Sequence, residues 1–306
     1  MEYKIRRTNY NNDYPKSDMI FQSFVDFKKL LTEKNTDYIF KPVILPVISH
    51  NHFQVFLSNV IDTLDLLPLR PDLGFDIIWR TIDAYMDYYA KKRSWNIKKS
   101  HKILNKTSDE IFLNLINANP QILSNFTNLM RSIPLQSTEF IAKRIFDISR
   151  TAVNQNQQKY IKERVKDSIG DDLYDEIEKK FTPLTPENQR NCGLLLQKLL
   201  NGEEIELNSN KFTLNNLGKL KLIVGGLLYS YRNERFHGDT FSPFRSSMSK
   251  LKTFAHSYYC FITAYNLLTY MIIEEFQNLL NVPDVITRLD DNINRFYKVF
   301  DVKLND

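Results

Sequence analysis

Residues 214–238 read LNNLGKLKLIVGGLLYSYRNERFHG. Leu217, Leu220, Ile223 and Leu227 recur every three or four positions, the spacing that places side chains on one face of an α-helix. Gly225 and Gly226 interrupt that run with two residues that lack a Cβ, which lets a neighbouring helix approach closely. The sequence then turns polar at Tyr231-Arg232-Asn233-Glu234-Arg235-Phe236-His237, and Gly238 offers a C-cap. Asp239 to Pro243 breaks the chain before a second long apolar segment, Ser246 to Leu280, with a stripe through Leu251, Phe254, Tyr258, Phe261, Tyr265, Leu268 and Ile272. Two core helices joined through a polar tip predict an all-α bundle.

The same period runs outward in both directions. It predicts helices over about Ser17–Lys34, His52–Leu67, Asp72–Lys92, Asp109–Met130, Ser137–Lys180, Pro186–Leu200, Leu214–Phe236, Ser246–Leu280 and Val285–Phe300. Two prolines deny a helix to FKPVILPVI, residues 40–48, which reads as an extended connector packed on the core. Residues 154–181 are the most polar of the chain and read as a solvent-facing helix interrupted at Gly170. Thr185-Pro186-Glu187 is a helix start: a capping hydroxyl, a proline at the first position and an acid at the positive end of the dipole. Between Glu203 and Leu214 an alternating pattern around Asn208-Ser209-Asn210 predicts a small β-hairpin inserted between helices. These marks divide the chain into a helical N-terminal region, 1–181, a core of 182–282 and a C-terminal helix, 283–306.

Composition narrows the class. The chain has 306 residues, 42% of them hydrophobic, enough for a proper core, and only 8 glycines. Its two cysteines, Cys192 and Cys260, are far apart and outside any Cys/His cluster, against both a disulfide framework and a zinc site. Met1 to Asn12 lacks the apolar core of a secretory signal, and no apolar run reaches the roughly 18 residues of a membrane span, so a cytoplasmic protein is expected. A net charge of +5 mildly favours polyanionic partners.

Arg232 and His237 carry the chemistry. Histidine exchanges protons near neutral pH, and arginine stays cationic and grips phosphate through a planar fork of donors. The bare spacing of such a pair is expected by chance about once in a chain of this composition, so context has to carry the reading. That context is Asn233 directly after the arginine, Gly238 after the histidine, and the apolar helices on both sides. In these respects the segment Thr185 to Leu280 resembles the HEPN superfamily, helical bundles marked by arginine, four to six residues, then histidine. GFDIIWRTIDAYMDYY, residues 74–89, also looks like an early helix of that family, which would extend the domain upstream to about residue 50.

The resemblance implies a metal-independent endoribonuclease that needs no cofactor. The RNA 2′-hydroxyl would attack its own phosphodiester, with His237 as general acid/base, Arg232 stabilising the phosphorane and Asn233 orienting the histidine or a phosphate, leaving a 2′,3′-cyclic phosphate. It also implies an effector of a toxin–antitoxin or antiviral system, silenced by an antitoxin or a nucleotidyltransferase partner. The alternative is a non-catalytic HEPN module that binds a nucleotide, RNA or a protein. Residues five apart on a regular helix point about 140° away from each other, so one straight helix does not aim both at one atom. Either the helix ends between them or a second chain completes the site; the resemblance, to a family whose members commonly pair two motifs across a dimer interface, implies a homodimer with a composite site, its two motifs facing each other. Tyr231, Arg235, Arg245, Lys250 and Lys252 lie near the motif in sequence and are candidates for holding RNA. Weaker signals have plainer readings. Trp79 to Lys102 interleaves aromatics with Lys91, Lys92, Arg93, Lys98, Lys99 and Lys102, more as a core helix running into a solvated basic loop than as a base-stacking groove. His256 reads as structural, and His50 with His52 lacks a third ligand for a metal.

Overall fold

The computed structural model describes residues 2–13, 21–97, 100–146, 163–236 and 242–300. The described residues form an all-α fold with one two-stranded sheet. The order is α1 (Glu2–Asn12), α2 (Gln22–Glu33), α3 (Asn51–Leu64), α4 (Pro71–Lys92), then α5, which runs as Ser100–Thr107, a π turn Ser108–Phe112 and Leu113–Ala118. Helices α6 (Pro120–Arg131), α7 (Leu135–Phe146), α8 (163–169), α9 (Asp171–Phe181) and α10 (Pro186–Asn201) follow. The hairpin β1 (Ile205–Leu207) and β2 (Asn210–Phe212) leads to α11, made of Asn216–Lys221, a π segment Leu222–Leu228 and Tyr229–Phe236. Helices α12 (Leu251–Phe276) and α13 (Val282–Phe300) complete the fold.

The axis of the molecule is α12, of which every residue from Phe254 to Ile273 is buried. Its stripe is only part of what is covered, because neighbours pack on all its sides, as a helix apolar all round requires. Several of its polar side chains bond locally or across the core, while Thr263 Oγ1 and Asn266 Oδ1 are buried without a partner. Asn266 and Thr269 donate to carbonyls one turn back, and the Tyr270 hydroxyl reaches Asn125 Oδ1 at 2.5 Å. Helix α4 runs beside α12 in the same direction. Phe261 abuts Gly74, the Tyr89 hydroxyl donates to the Met271 carbonyl at 2.9 Å, and Lys92 pairs with Glu275 at 2.8 Å.

The connector at residues 40–48 is extended and nailed to the core. Phe40 packs edge-on against Phe261 and Tyr265, Val43 N donates to the Tyr265 hydroxyl at 3.0 Å, and Asn292 exchanges two hydrogen bonds with the Lys41 backbone. Thr185 Oγ1 caps α10 by accepting from Asn188 N at 3.1 Å, and Gly202, at φ +87°, ends it in the left-handed conformation. Asn208 and Ser209 supply the positive φ angles of a tight hairpin turn between β1 and β2.

Three expectations differ from what is observed. Polar Glu2–Asn12 forms a helix that buries none of its residues, so it carries no apolar stripe to find. The helix expected over 109–130 is broken at Asn119, whose side chain caps α6 by accepting from Gln121 N and Ile122 N ahead of Pro120. The basic stretch after Arg93 is not simply a loop: Ser100–Thr107 is helical, and Lys106 lies over the Trp95 ring. Gly170, at φ +84°, does separate α8 from α9. Residue 182 marks a turn of the chain, but one continuous buried cluster extends across it from Phe21 to Phe300. No helix among the described residues is long and apolar enough to cross a membrane.

Candidate active site

The site is built by two antiparallel helices, α4 and the last part of α11. Phe75 packs against Tyr231 at 4.9 Å between ring centroids, and Trp79 lies 6.2 Å from Tyr229. These contacts bring the acidic residues of α4 against the basic tip of α11. Asp72, Asp76, Asp83 and Asp87 are spaced four, seven and four apart, so they share one face of their helix.

Arg232 sits on this seam with its side chain 26% exposed. Its Nη2 is 3.6 Å from Asp83 Oδ2, its Nη1 donates to Asn233 Oδ1 at 3.1 Å, and its guanidinium lies 4.4 Å from the centre of the Phe236 ring. Its Nε is buried with no hydrogen-bond partner. Burial pushes the Asp83 carboxyl up to about 6; Arg232 acts against that rise and Asp87 adds to it. The Trp79 indole lies near enough to favour the ionised form, although its Nε1 makes no hydrogen bond. The motif arginine is thus held by a long ion pair to a carboxyl that burial inclines to protonate, and by its own neighbour's amide.

Of the residues expected to act with it, Asn233 is beside Arg232 and partly exposed, while His237 lies outside the described residues. Three candidates for RNA contact are corrected. Tyr231 is buried, its hydroxyl bonded to Ser257 Oγ at 3.2 Å and its ring packed on Phe75 and His256, so it is a core residue. Arg235 is only 10% exposed and committed to carboxylates: Nε and Nη2 donate to Asp76 at 2.7 and 2.6 Å, and Nη2 also to Asp72 at 3.2 Å. Asp72, fully buried near the start of α4, also receives a bidentate pair from Arg70 at 2.9 Å. Arg245 lies among the rings of Tyr10, Phe21 and Phe24, and its carbonyl accepts from Arg7 at 2.8 Å. Lys250 and Lys252 are exposed at the start of α12, where Lys250 N donates to Thr253 Oγ1.

Of the basic aromatic stretch, Lys98 and Lys99 lie outside the described residues, and the described part offers no base-stacking groove. Trp79, Tyr85 and Tyr89 are buried, and Lys92 and Arg93 pair with Glu275 and Glu274. His256 is buried against Ser137 Oγ at 2.9 Å through Nδ1; burial first, then the charge of Arg235, lowers its pKa to about 4.

Sequence reasoning passed over Asp83 and its companions on α4. Their shared face was the available signal, but a row of acids on one helix gains meaning only once a row of arginines is placed opposite. Among the described residues, no three His, Cys, Asp or Glu side chains gather at metal-binding distance. No family model matches the chain, and no curated protein or solved structure matches it either.

Proposed function

We propose that this chain is a metal-independent endoribonuclease of the HEPN type, acting in the cytoplasm as an effector of a toxin–antitoxin or antiviral system. The observation that carries the reading is the state of Arg232. It stands at a partly exposed helix tip beside Asn233, keeps a buried Nε donor without a partner, and has only a long ion pair to Asp83. Arg235, three residues on, is by contrast paired at close range through Nε and Nη2 with Asp72 and Asp76. An arginine with a buried, unpartnered donor suits a developing phosphorane charge better than one closely paired with two carboxylates.

In this reading a substrate phosphate displaces Asp83 from Arg232, and the partly protonated Asp83 gives way at low cost. His237 exchanges the proton of the 2′-hydroxyl, and Asn233, released from the guanidinium, orients phosphate or histidine. A two-fold homodimer brings two tips together, and Phe236, exposed beside Arg232, supplies an apolar contact there.

The test is incubation of the purified protein with end-labelled RNA in EDTA. Cleavage leaving a 2′,3′-cyclic phosphate, lost in both Arg232→Ala and His237→Ala, is the expected result. Activity unchanged in both variants rejects the assignment, and RNA binding without cleavage replaces it with the non-catalytic module.

A further inference from the structure

A second arginine stands next to the motif helix, contributed by a different part of the chain. Arg164, on α8, lies against the π segment of α11: its Nε donates to the Gly225 carbonyl at 3.3 Å, and a Cβ on Gly225 would touch its Cδ at 3.4 Å. Its guanidinium lies 4.9 Å from the centre of the Tyr229 ring. Tyr229 is one helical turn before Arg232 and Asn233, and its other neighbour is Trp79, on the helix that carries Asp83.

The electrostatic setting of Arg164 is unlike that of its neighbours. Arg70, Arg93, Arg232 and Arg235 each face a carboxylate. Arg164 forms no ion pair among the described residues. Burial pushes its pKa down, and the one group acting in the other direction is Tyr229. A guanidinium does not give up its proton in a protein, so this is a desolvated cation with no carboxylate opposite it among the described residues. Such a charge is costly to keep in a purely structural role, where a neutral side chain of similar length would fill the same space. Its Nε is tied to the π segment, and among the described residues its two terminal amino groups make no hydrogen bond or ion pair.

We propose that Arg164 is a phosphate-binding residue of the site, gripping an RNA phosphate next to the scissile one, with Tyr229 as the wall between it and Arg232. The assignment rests on the ribonuclease reading for the identity of the ligand, but it concerns binding alone. Arg232 holds the reacting phosphate and Arg164 a non-reacting one, so the two arginines set the path of the backbone across the tip of α11. A planar fork is suited to this task and an ammonium is not equivalent to it.

The experiment uses a 2′-O-methyl RNA oligonucleotide, which lacks the attacking hydroxyl and so reports binding whether or not the protein cleaves RNA. Affinity of the wild type, Arg164→Met and Arg164→Lys is measured across a salt series, with thermal unfolding of each. Arg164→Met is expected to weaken binding roughly tenfold and to reduce the slope of log affinity against log salt by about 0.7, the contribution of one single-strand phosphate contact. Arg164→Lys should restore the slope and only part of the affinity. The Tm of Arg164→Met should equal or exceed that of the wild type, because an uncompensated charge is removed.

Equal affinity and slope in wild type and Arg164→Met overturn the proposal, as does a wild type that does not bind the oligonucleotide. Loss of binding accompanied by a marked fall in Tm in both variants also overturns it, by making Arg164 structural. If unmodified RNA is bound through Arg164 but never cut, the binding site stands and the ribonuclease reading falls. If RNA is cut normally by Arg164→Met at unchanged KM, the reverse holds.

Discussion

Asp83 and Arg232 face each other across two antiparallel helices, carboxylate to guanidinium at 3.6 Å, and the acid is the member of the pair that burial disfavours. Its carboxyl titrates near 6, above the ordinary 3.8. A folded-state pKa raised in this way means that the folded chain holds the proton more tightly than the unfolded one. The favourable contribution is present at low pH and is lost as pH rises through about 6.

Asp83→Asn therefore changes stability in a pH-dependent way. Relative to wild type, the variant should gain about 1–3 kcal/mol between pH 4 and pH 7.5, since the wild type alone bears the cost of ionising a half-buried carboxyl. Urea unfolding of both proteins at the two pH values measures this. A difference that is flat across the interval contradicts the raised pKa.

Arg232 and Arg235 are one turn apart and should behave oppositely. Arg232→Ala breaks a long, partly exposed ion pair and should cost at most about 1 kcal/mol of stability while abolishing cleavage. Arg235→Ala leaves Asp76 unpaired and takes from buried Asp72 one of its two arginines, Arg70 remaining, and should cost about 2–4 kcal/mol. Denaturation midpoints alongside RNA cleavage separate the two roles.

His256 gives the fold an acid sensitivity. Its pKa, about 4 in the folded chain against 6.5 ordinarily, is lowered, so the unfolded chain binds its proton first as pH falls. Stability should decline between about pH 6.5 and 4, by up to roughly 3 kcal/mol in all. His256→Gln should remove that part of the slope; an unchanged pH–stability profile would show that His256 does not titrate as its burial dictates.

Gly193 is the close-contact point between α10 and α7. A Cβ there would lie 2.9 Å from Glu139 Cγ and 3.0 Å from its backbone nitrogen. Gly193→Ala should lower stability by about 1–3 kcal/mol by forcing the helices apart, read as a fall in Tm. Gly225→Ala, with its nearest neighbour at 3.4 Å, should be tolerated far better.

The all-α class was legible because burial leaves a period in the sequence. Leu217, Leu220, Ile223 and Leu227 repeat every three or four residues, and the prolines of residues 40–48 mark where helix is forbidden. Local chemistry was equally plain at Thr185-Pro186, where the cap occurs as the residue types demand. Helix α1 was not legible, because it only half-covers two tyrosines, Tyr3 and Tyr10, against Phe21 and has no apolar stripe to show. At the tip of α11, Arg232 and Arg235 were indistinguishable by type and spacing. Only the carboxylates opposite, Asp83 for one and Asp72 with Asp76 for the other, separate an arginine held by one long ion pair from one closely paired with two acids. Tyr231 was misjudged for a related reason: its place beside the motif was visible, but Phe75 and Ser257, which bury it, come from distant parts of the chain.

The π segment Leu222–Leu228 carries a consequence for how this tip can change. A π turn absorbs one residue beyond the α-helical count, and one residue corresponds to about 100° of rotation. The buried stretch before it and the polar tip after it are therefore indexed separately, like two dials on one shaft. Loss of a single residue within Leu222–Leu228 would swing Arg232 and Asn233 away from Asp83 while Leu217 and Leu220 stayed in place. The direction of the motif is set by a phase offset within its own helix, and that phase can drift without any rearrangement of the residues before it.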